Sequence, residues 1–184
     1  MTRSIAVWRL LLLAFLACAG DPSWGDVQED AGPALTQLRA LAGDWEGSYA
    51  WSGARTATGT VNATYYGTGN GSSVVENLTM EGVPSMTSVY HLDGTDLRVT
   101  HFCAAQNQPR LKARAIDLSK GELDFDFVDA TNLLSPDAPH VYGIEVRLLS
   151  ADHITLTFLF SAGDKRSKEF IDLKRAGHPP AIKR

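Results

Sequence analysis

The residues best suited to chemistry lie in one short stretch. Thr100-His101-Phe102-Cys103-Ala104-Ala105-Gln106-Asn107-Gln108-Pro109-Arg110 brings together an imidazole, a thiol, three adjacent amides and a guanidinium. Amides and a guanidinium are directional donors that can fix a carboxylate or carbonyl of a ligand. The same residues read equally as a turn in which Asn107 and Gln108 cap backbone groups and Arg110 pairs with a nearby acid. An enzyme built on His101 and Arg110 would need a carboxylate converging on them in one cleft. A Cys–His pair would need an imidazole within hydrogen-bond reach of Cys103. His101 and Cys103 are two positions apart in an extended run, which separates their Cβ atoms by about 6–7 Å. No catalytic residue is assigned on this basis.

Metal and phosphate chemistry find little support. His91 and His101 stand on adjacent candidate strands joined by the Asp93-Gly94 turn and could be cross-strand neighbours. A zinc site needs at least a third protein ligand, so no metal site is predicted. Asp124 and Asp126 alternate with Leu123, Phe125 and Phe127, which puts both acids on a polar face rather than in a cleft. No nucleophile elbow, phosphate loop or dinucleotide fingerprint is present. Gly67-Thr68-Gly69-Asn70-Gly71 reads as a turn, because no helix follows it and Asn-Gly tolerates positive φ. Asn62-Ala63-Thr64, Asn70-Gly71-Ser72 and Asn77-Leu78-Thr79 match glycosylation acceptors, which matter only in a host that modifies them.

The elements that must carry these groups are strands. Leu35, Leu38 and Leu41 have helical spacing behind Pro33, so a short helix is expected before Gly43. From there the period becomes two: Trp45, Gly47, Tyr49 and Trp51 alternate with small or polar residues, and Val61, Ala63 and Tyr65 continue the pattern. Further strands are expected over 73–80, 86–92, 95–103, 110–118, 122–128, 141–149, 153–161 and 167–174. Turn residues such as Glu81-Gly82, Asp93-Gly94 and Gly163-Asp164 separate them. Short links between successive strands imply an antiparallel meander. About ten strands in a meander hide their edges by closing into an up-and-down barrel, with a β-sandwich as the competing arrangement. The fold expected is all-β, an approximately ten-stranded antiparallel barrel with a short N-terminal helix. Asn132 to Pro139 is expected as a loop at one mouth, since its prolines disfavour an interior strand.

Composition sets the compartment. The chain has 184 residues with 17 Lys and Arg against 21 Asp and Glu. Arg3 and Arg9 flank an apolar run, Leu10 to Ala17, and small residues follow, so residues 1–19 read as an export leader. Nothing later approaches the roughly 20 apolar residues of a spanning helix. Residues 20–32 then form a spacer, 33–174 one domain and 175–184 a tail. A cut after Ala19 gives a periplasmic or extracellular protein; a cut before Cys18 would leave a lipidated cysteine as an N-terminal anchor. With the leader gone the net charge is more negative, which disfavours a broad nucleic-acid footprint. Cys103 is then the single cysteine, so an intrachain disulfide is not available.

Alternation nominates the lining of the barrel. Leu123, Phe125 and Phe127 share one face. Ile154, Leu156, Phe158 and Phe160 form a second apolar row, Tyr142, Ile144, Val146 and Leu148 a third, and Ile171 and Leu173 begin a fourth. Ten strands enclose a space that either side chains or a ligand can fill. Trp45, Tyr49, Tyr66, Met86, Tyr90 and His101 offer an apolar wall with polar tips, suited to ligand contact or to a satisfied core. Asn107, Arg110, Phe125 and Phe127 complete the candidate ligand-binding set.

Leu41-Ala42-Gly43-Asp44-Trp45-Glu46-Gly47 resembles the opening strand of the calycin group, which includes lipocalins, fatty-acid-binding proteins and haem-binding nitrobindin-like barrels. Gly43-x-Trp45 looks like the lipocalin Gly-x-Trp signature, whose tryptophan packs across the barrel floor. Together with Tyr90-His91-Leu92-Asp93-Gly94 and the stretch from His101 to Arg110, the pattern over residues 35–174 resembles an uncharacterised bacterial family of secreted lipocalin-like proteins, a domain of unknown function. The resemblance implies a small hydrophobic or amphipathic ligand inside a cup-shaped barrel. In nitrobindin-like proteins a histidine toward the C-terminal strands ligates haem. Here Lys168-Glu169-Phe170-Ile171-Asp172-Leu173 contains none and His153 stands at a strand start, so the cofactor is left unknown. A filled envelope domain that contacts another protein is the alternative function, and an enzyme the third.

Overall fold

A computed structural model describes residues 32–177. The expected leader, the alternative lipidation site at Cys18, most of the spacer and His178 lie outside the described residues. The chain begins with helix α1 (Pro33–Arg39), followed by ten strands: β1 (Gly43–Gly53), β2 (Ala57–Thr68), β3 (Ser73–Met80), β4 (Val83–Asp93), β5 (Asp96–Phe102), β6 (Gln108–Asp117), β7 (Glu122–Thr131), β8 (His140–Ser150), β9 (His153–Ala162) and β10 (Lys165–Arg175). Each strand pairs antiparallel with its neighbours in sequence, and β1 pairs with β10, so the sheet closes into a barrel with no free edge. The sandwich alternative is thereby set aside.

Closure brings β1 and β10 very close at Gly47. A Cβ there would overlap the carbonyl of Asp172, so the seam requires a residue without one.

One end of the barrel is sealed. Leu35 and Leu38 of α1 are buried against it, as their spacing predicts. Trp45 is buried at the same end, and its indole N–H donates to the Leu41 carbonyl at 2.8 Å. The Arg175 guanidinium stacks on the Trp45 ring at 4.4 Å and donates to the carbonyls of Ala40 and Ala42. Arg175, the last residue of β10, is thus part of the floor of the barrel. These contacts fix the helix as a plug, since the carbonyls at and just past its C-cap gain a cationic donor.

The expected apolar rows point inward, with one exception. Ile144 and Val146 of β8 are buried, whereas Tyr142 lies across a register shift between Val141 and Gly143. The shift turns Tyr142 out, where Arg166 lies over its ring at 5.5 Å, and turns Val141 in. A bulge breaks strict alternation by inserting one residue, which period-two reading does not detect. Pro109 also lies inside a strand, β6. There it faces Ala130 on β7, while pairing with β5 covers only Arg110 to Lys112, so no ladder bond to β5 is demanded of its missing N–H.

Candidate functional site

The interior divides into a filled half and an open half. Toward the sealed end, one cross-strand row carries Tyr65, Glu76, Ser88 and His101 on β2, β3, β4 and β5. All four are buried. The Tyr65 and Tyr90 hydroxyls donate to Glu76 Oε2 at 2.7 and 3.0 Å. Ser88 Oγ and His101 Nδ1 share a hydrogen bond of 3.0 Å. Burial pushes the Glu76 carboxyl above the ordinary carboxylate range, against hydrogen bonds from Tyr65, Ser88 and Tyr90 that pull it down. Burial alone drives His101 down to about 3, so its ring is neutral. Phe125 packs on Tyr90, with ring centroids 5.9 Å apart. This half is a polar knot inside an apolar core.

The open half carries a cavity of ≈ 170 Å³. Trp51, Phe158 and Phe160 form its aromatic wall, Met86 and Val141 its aliphatic side, and Cys103 with Ala105 its rim. Trp51 and Phe160 meet edge to face at 5.6 Å. Phe158 is shared between the two halves: it lines the cavity and packs on His101 at 4.9 Å. Two charged residues reach the same space, Glu169 and Arg55. Glu169 is 1% exposed, stands opposite Trp51 on β1 and Phe158 on β9, and has one carboxylate oxygen, Oε1, with no hydrogen-bond partner. Its carboxyl is pushed up to about 7 by burial, while a hydrogen bond from Trp51 and the charge of Arg55 pull it down. Arg55 is exposed and lies over the Trp51 ring at 4.2 Å. Its turn is tied to β10 by Ala54 N–H donating to the Arg166 carbonyl and Arg55 N–H to Ser167 Oγ. Burial also pushes the Cys103 thiol up, so it is a protonated wall group and not a thiolate nucleophile.

The structure separates the nominated residues. Met86 lines the cavity. Tyr49, half-buried, packs against the core. Trp45 is in the sealed floor, Tyr90, Phe125 and His101 are in the filled half, and Phe127 packs on His140 at 5.1 Å. Two of the nominated residues lie outside the barrel wall. Tyr66 is outside the barrel and 44% exposed, because Tyr65 takes the inward position of the adjacent pair. Arg110 also points outward and holds Asp129, with Nη2 to Oδ2 at 2.6 Å. Asn107 is buried but serves the architecture: its amide donates to the Pro139 carbonyl at 2.7 Å. Gln108 accepts from Thr131, and the Gln106 carbonyl accepts from Asn132. The Asn107 amide and the Gln106 carbonyl thus tie the two ends of the loop over residues 132–139 to the mouth. His91 and His101 do not meet either; His91 pairs in register with Arg98. Among the described residues no group of three metal-ligating side chains converges.

Two residues were missed, Glu169 and Glu76. Parity alone could have found both, since Glu169 shares a face with Ile171 and Leu173, and Glu76 with Val74 and Leu78. Because Tyr66 and Arg110 are exterior, Tyr66→Ala and Arg110→Ala should each change unfolding free energy by less than about 1 kcal/mol, as expected for surface side chains and an exposed ion pair. Urea titration checks this; a loss of several kcal/mol for either would show that its side chain packs into the fold.

A haem does not fit the cavity. Its volume is near that of the roughly 150 Å³ hole that admits benzene, no histidine lines it, and His153 lies outside, paired with Asp172 at 3.0 Å.

No protein-family profile and no curated protein matches the sequence. Solved structures do match. A protein of unknown function from the DUF3598 family of Nostoc punctiforme aligns with a TM-score of 0.53 and 12% identity, covering 76% of this chain. This chain spans 49% of the length of that protein. Rv2717c from M. tuberculosis aligns with a TM-score of 0.51 and 15% identity over 80% of this chain and 100% of its own. At such identities the likeness shows the fold alone, a ten-stranded antiparallel barrel.

Proposed function

We propose that this protein is an exported carrier or receptor of a small amphipathic molecule, held in the open half of the barrel. The observation that carries the reading is the ≈ 170 Å³ cavity with an aromatic wall and a buried, incompletely partnered carboxylate. Binding sites are commonly concave and apolar with a few placed polar groups, and this one has that make-up. Drug-sized ligands occupy roughly 300 Å³ or more, so the occupant is compact, about one ring in size, with any further part extending through the mouth. Export is supported by the leader pattern in residues 1–19.

The full chain titrated with benzyl alcohol, followed by amide NMR, tests this. The expected result is saturable, millimolar-range binding with shifts centred on Trp51, Cys103 and Phe158. Ala105→Trp, which fills the rim, should abolish it. Shifts confined to the outer face, or unaffected by Ala105→Trp, would refute the proposal. The filled-domain alternative has less support, because the wall residues line open space.

A further inference from the structure

Resting on that reading, we infer that the cavity selects an organic cation, a one-ring amine or similar nitrogen base whose N–H group is received by Glu169. Three geometric facts converge on the class. Glu169 Oε1 is buried and lacks a donor. A buried acceptor left unpaired is costly, and an ionised partner supplies the strongest hydrogen bond to it. Trp51 and Glu169 stand opposite each other in the β1–β10 ladder, and Phe158 stands opposite Glu169 on β9, so the carboxylate is flanked by aromatic rings. Aromatic faces attract a cation that has left water, adding to the ion pair.

The third fact concerns the protein's own cation. Arg55 already rests on the Trp51 ring at 4.2 Å, but it is exposed and makes no ion pair with Glu169. It marks the ring as a cation platform while leaving Glu169 Oε1 without a hydrogen-bond donor. Among the described residues the titratable or charged groups facing Glu169 are Arg55, from the β1–β2 turn, and the Cys103 thiol, from the turn after β5. Neither is a buried cation. An anionic ligand would meet Glu169 as a like charge in a poorly solvated space, which disfavours it.

The test compares three probes of one shape, benzylamine, benzyl alcohol and benzoate, on the full chain by NMR-detected titration. At about pH 8, benzylamine should bind about tenfold more tightly than benzyl alcohol, the usual margin of a charge-assisted over a neutral hydrogen bond. Benzoate should bind most weakly. Near about pH 5.5 the benzylamine advantage should fall below about threefold, because Glu169 takes up a proton. Glu169→Gln should remove the advantage at every pH, so that benzylamine and benzyl alcohol bind within about threefold of each other. Arg55→Gln, at an exposed position, should strengthen benzylamine by about twofold to threefold by removing a competing cation; it keeps the test decisive should Glu169→Gln fold poorly. Equal binding of benzylamine and benzyl alcohol, or a preference that survives Glu169→Gln, overturns the cation inference and leaves the small-molecule reading standing. Failure of all three probes to enter the cavity overturns both.

Discussion

Glu76→Ala is expected to lower the unfolding free energy by about 3–6 kcal/mol, a large part of the roughly 5–15 kcal/mol that holds a typical domain folded. The carboxylate is fully buried, and two tyrosine hydroxyls donate to the same oxygen. Truncation leaves both hydroxyls without an acceptor, at about 1–3 kcal/mol each, and opens a hole that the closed sheet cannot easily collapse. Glu76→Gln should cost much less. Its amide oxygen still accepts, and the raised titration of Glu76 means that the neutral shape already suits the site. The partners supply the sharper test. Tyr65→Phe and Tyr90→Phe should each cost about 1 kcal/mol in the native background and become neutral or stabilising in Glu76→Ala, since each then removes an orphaned hydroxyl. Urea unfolding with unchanged slopes reads all of these. Additive costs would show that the three groups do not act as one network.

That network bears on ligand capture through Phe158. One face of the ring lies against His101, itself held by Ser88, and the residue also forms part of the cavity wall. The floor of the cavity is therefore anchored by a polar row, not by apolar packing alone. A side chain fixed by neighbours loses little freedom when a ligand arrives, which favours binding by a small molecule with few contacts of its own. Loosening the row should weaken binding without touching the wall.

The barrel itself was legible because period-two alternation and glycine-bearing turns recur along the chain, and because α1 shows helical spacing just before Gly43. What failed did so where chain geometry departs from alternation or where a polar residue breaks the apolar code. The β8 bulge reversed Tyr142, and Tyr65-Tyr66 offered two similar residues of which only one can face inward. The stretch from His101 to Arg110 concentrates reactive side chains. Yet those amides sit at a mouth whose loops need tying, and Arg110 meets an acid on the neighbouring strand. Glu76 and Glu169 are charged residues at inward positions. A reading that assigns charges to the solvent face passes over the two residues that carry most of the interior chemistry.

Glu169 should also leave a signature in stability without any ligand. Its folded-state titration is pushed up to about 7, whereas an unfolded chain releases that proton near the ordinary glutamate value. Between the two the native state holds the extra proton, so ν_U − ν_N is negative and stability falls as pH rises. The contribution is fully present below about pH 4.3 and gone above about pH 7, a span worth up to about 4 kcal/mol. Glu76 acts with the same sign, and His101 with the opposite one. Its folded value of about 3 lies below that of the unfolded chain, so its stabilisation is present above about pH 6.5 and lost as pH falls. Comparing the native protein with Glu169→Gln at each pH cancels those two and isolates Glu169. Relative to the variant, the native protein should lose ground steadily from about pH 4.5 to about pH 7 and then run parallel. A difference that is flat across that window would mean that Glu169 titrates as a solvated carboxylate. Benzylamine should reverse the trend, because it binds the ionised form and adds stability chiefly at the alkaline end, where the empty site is weakest.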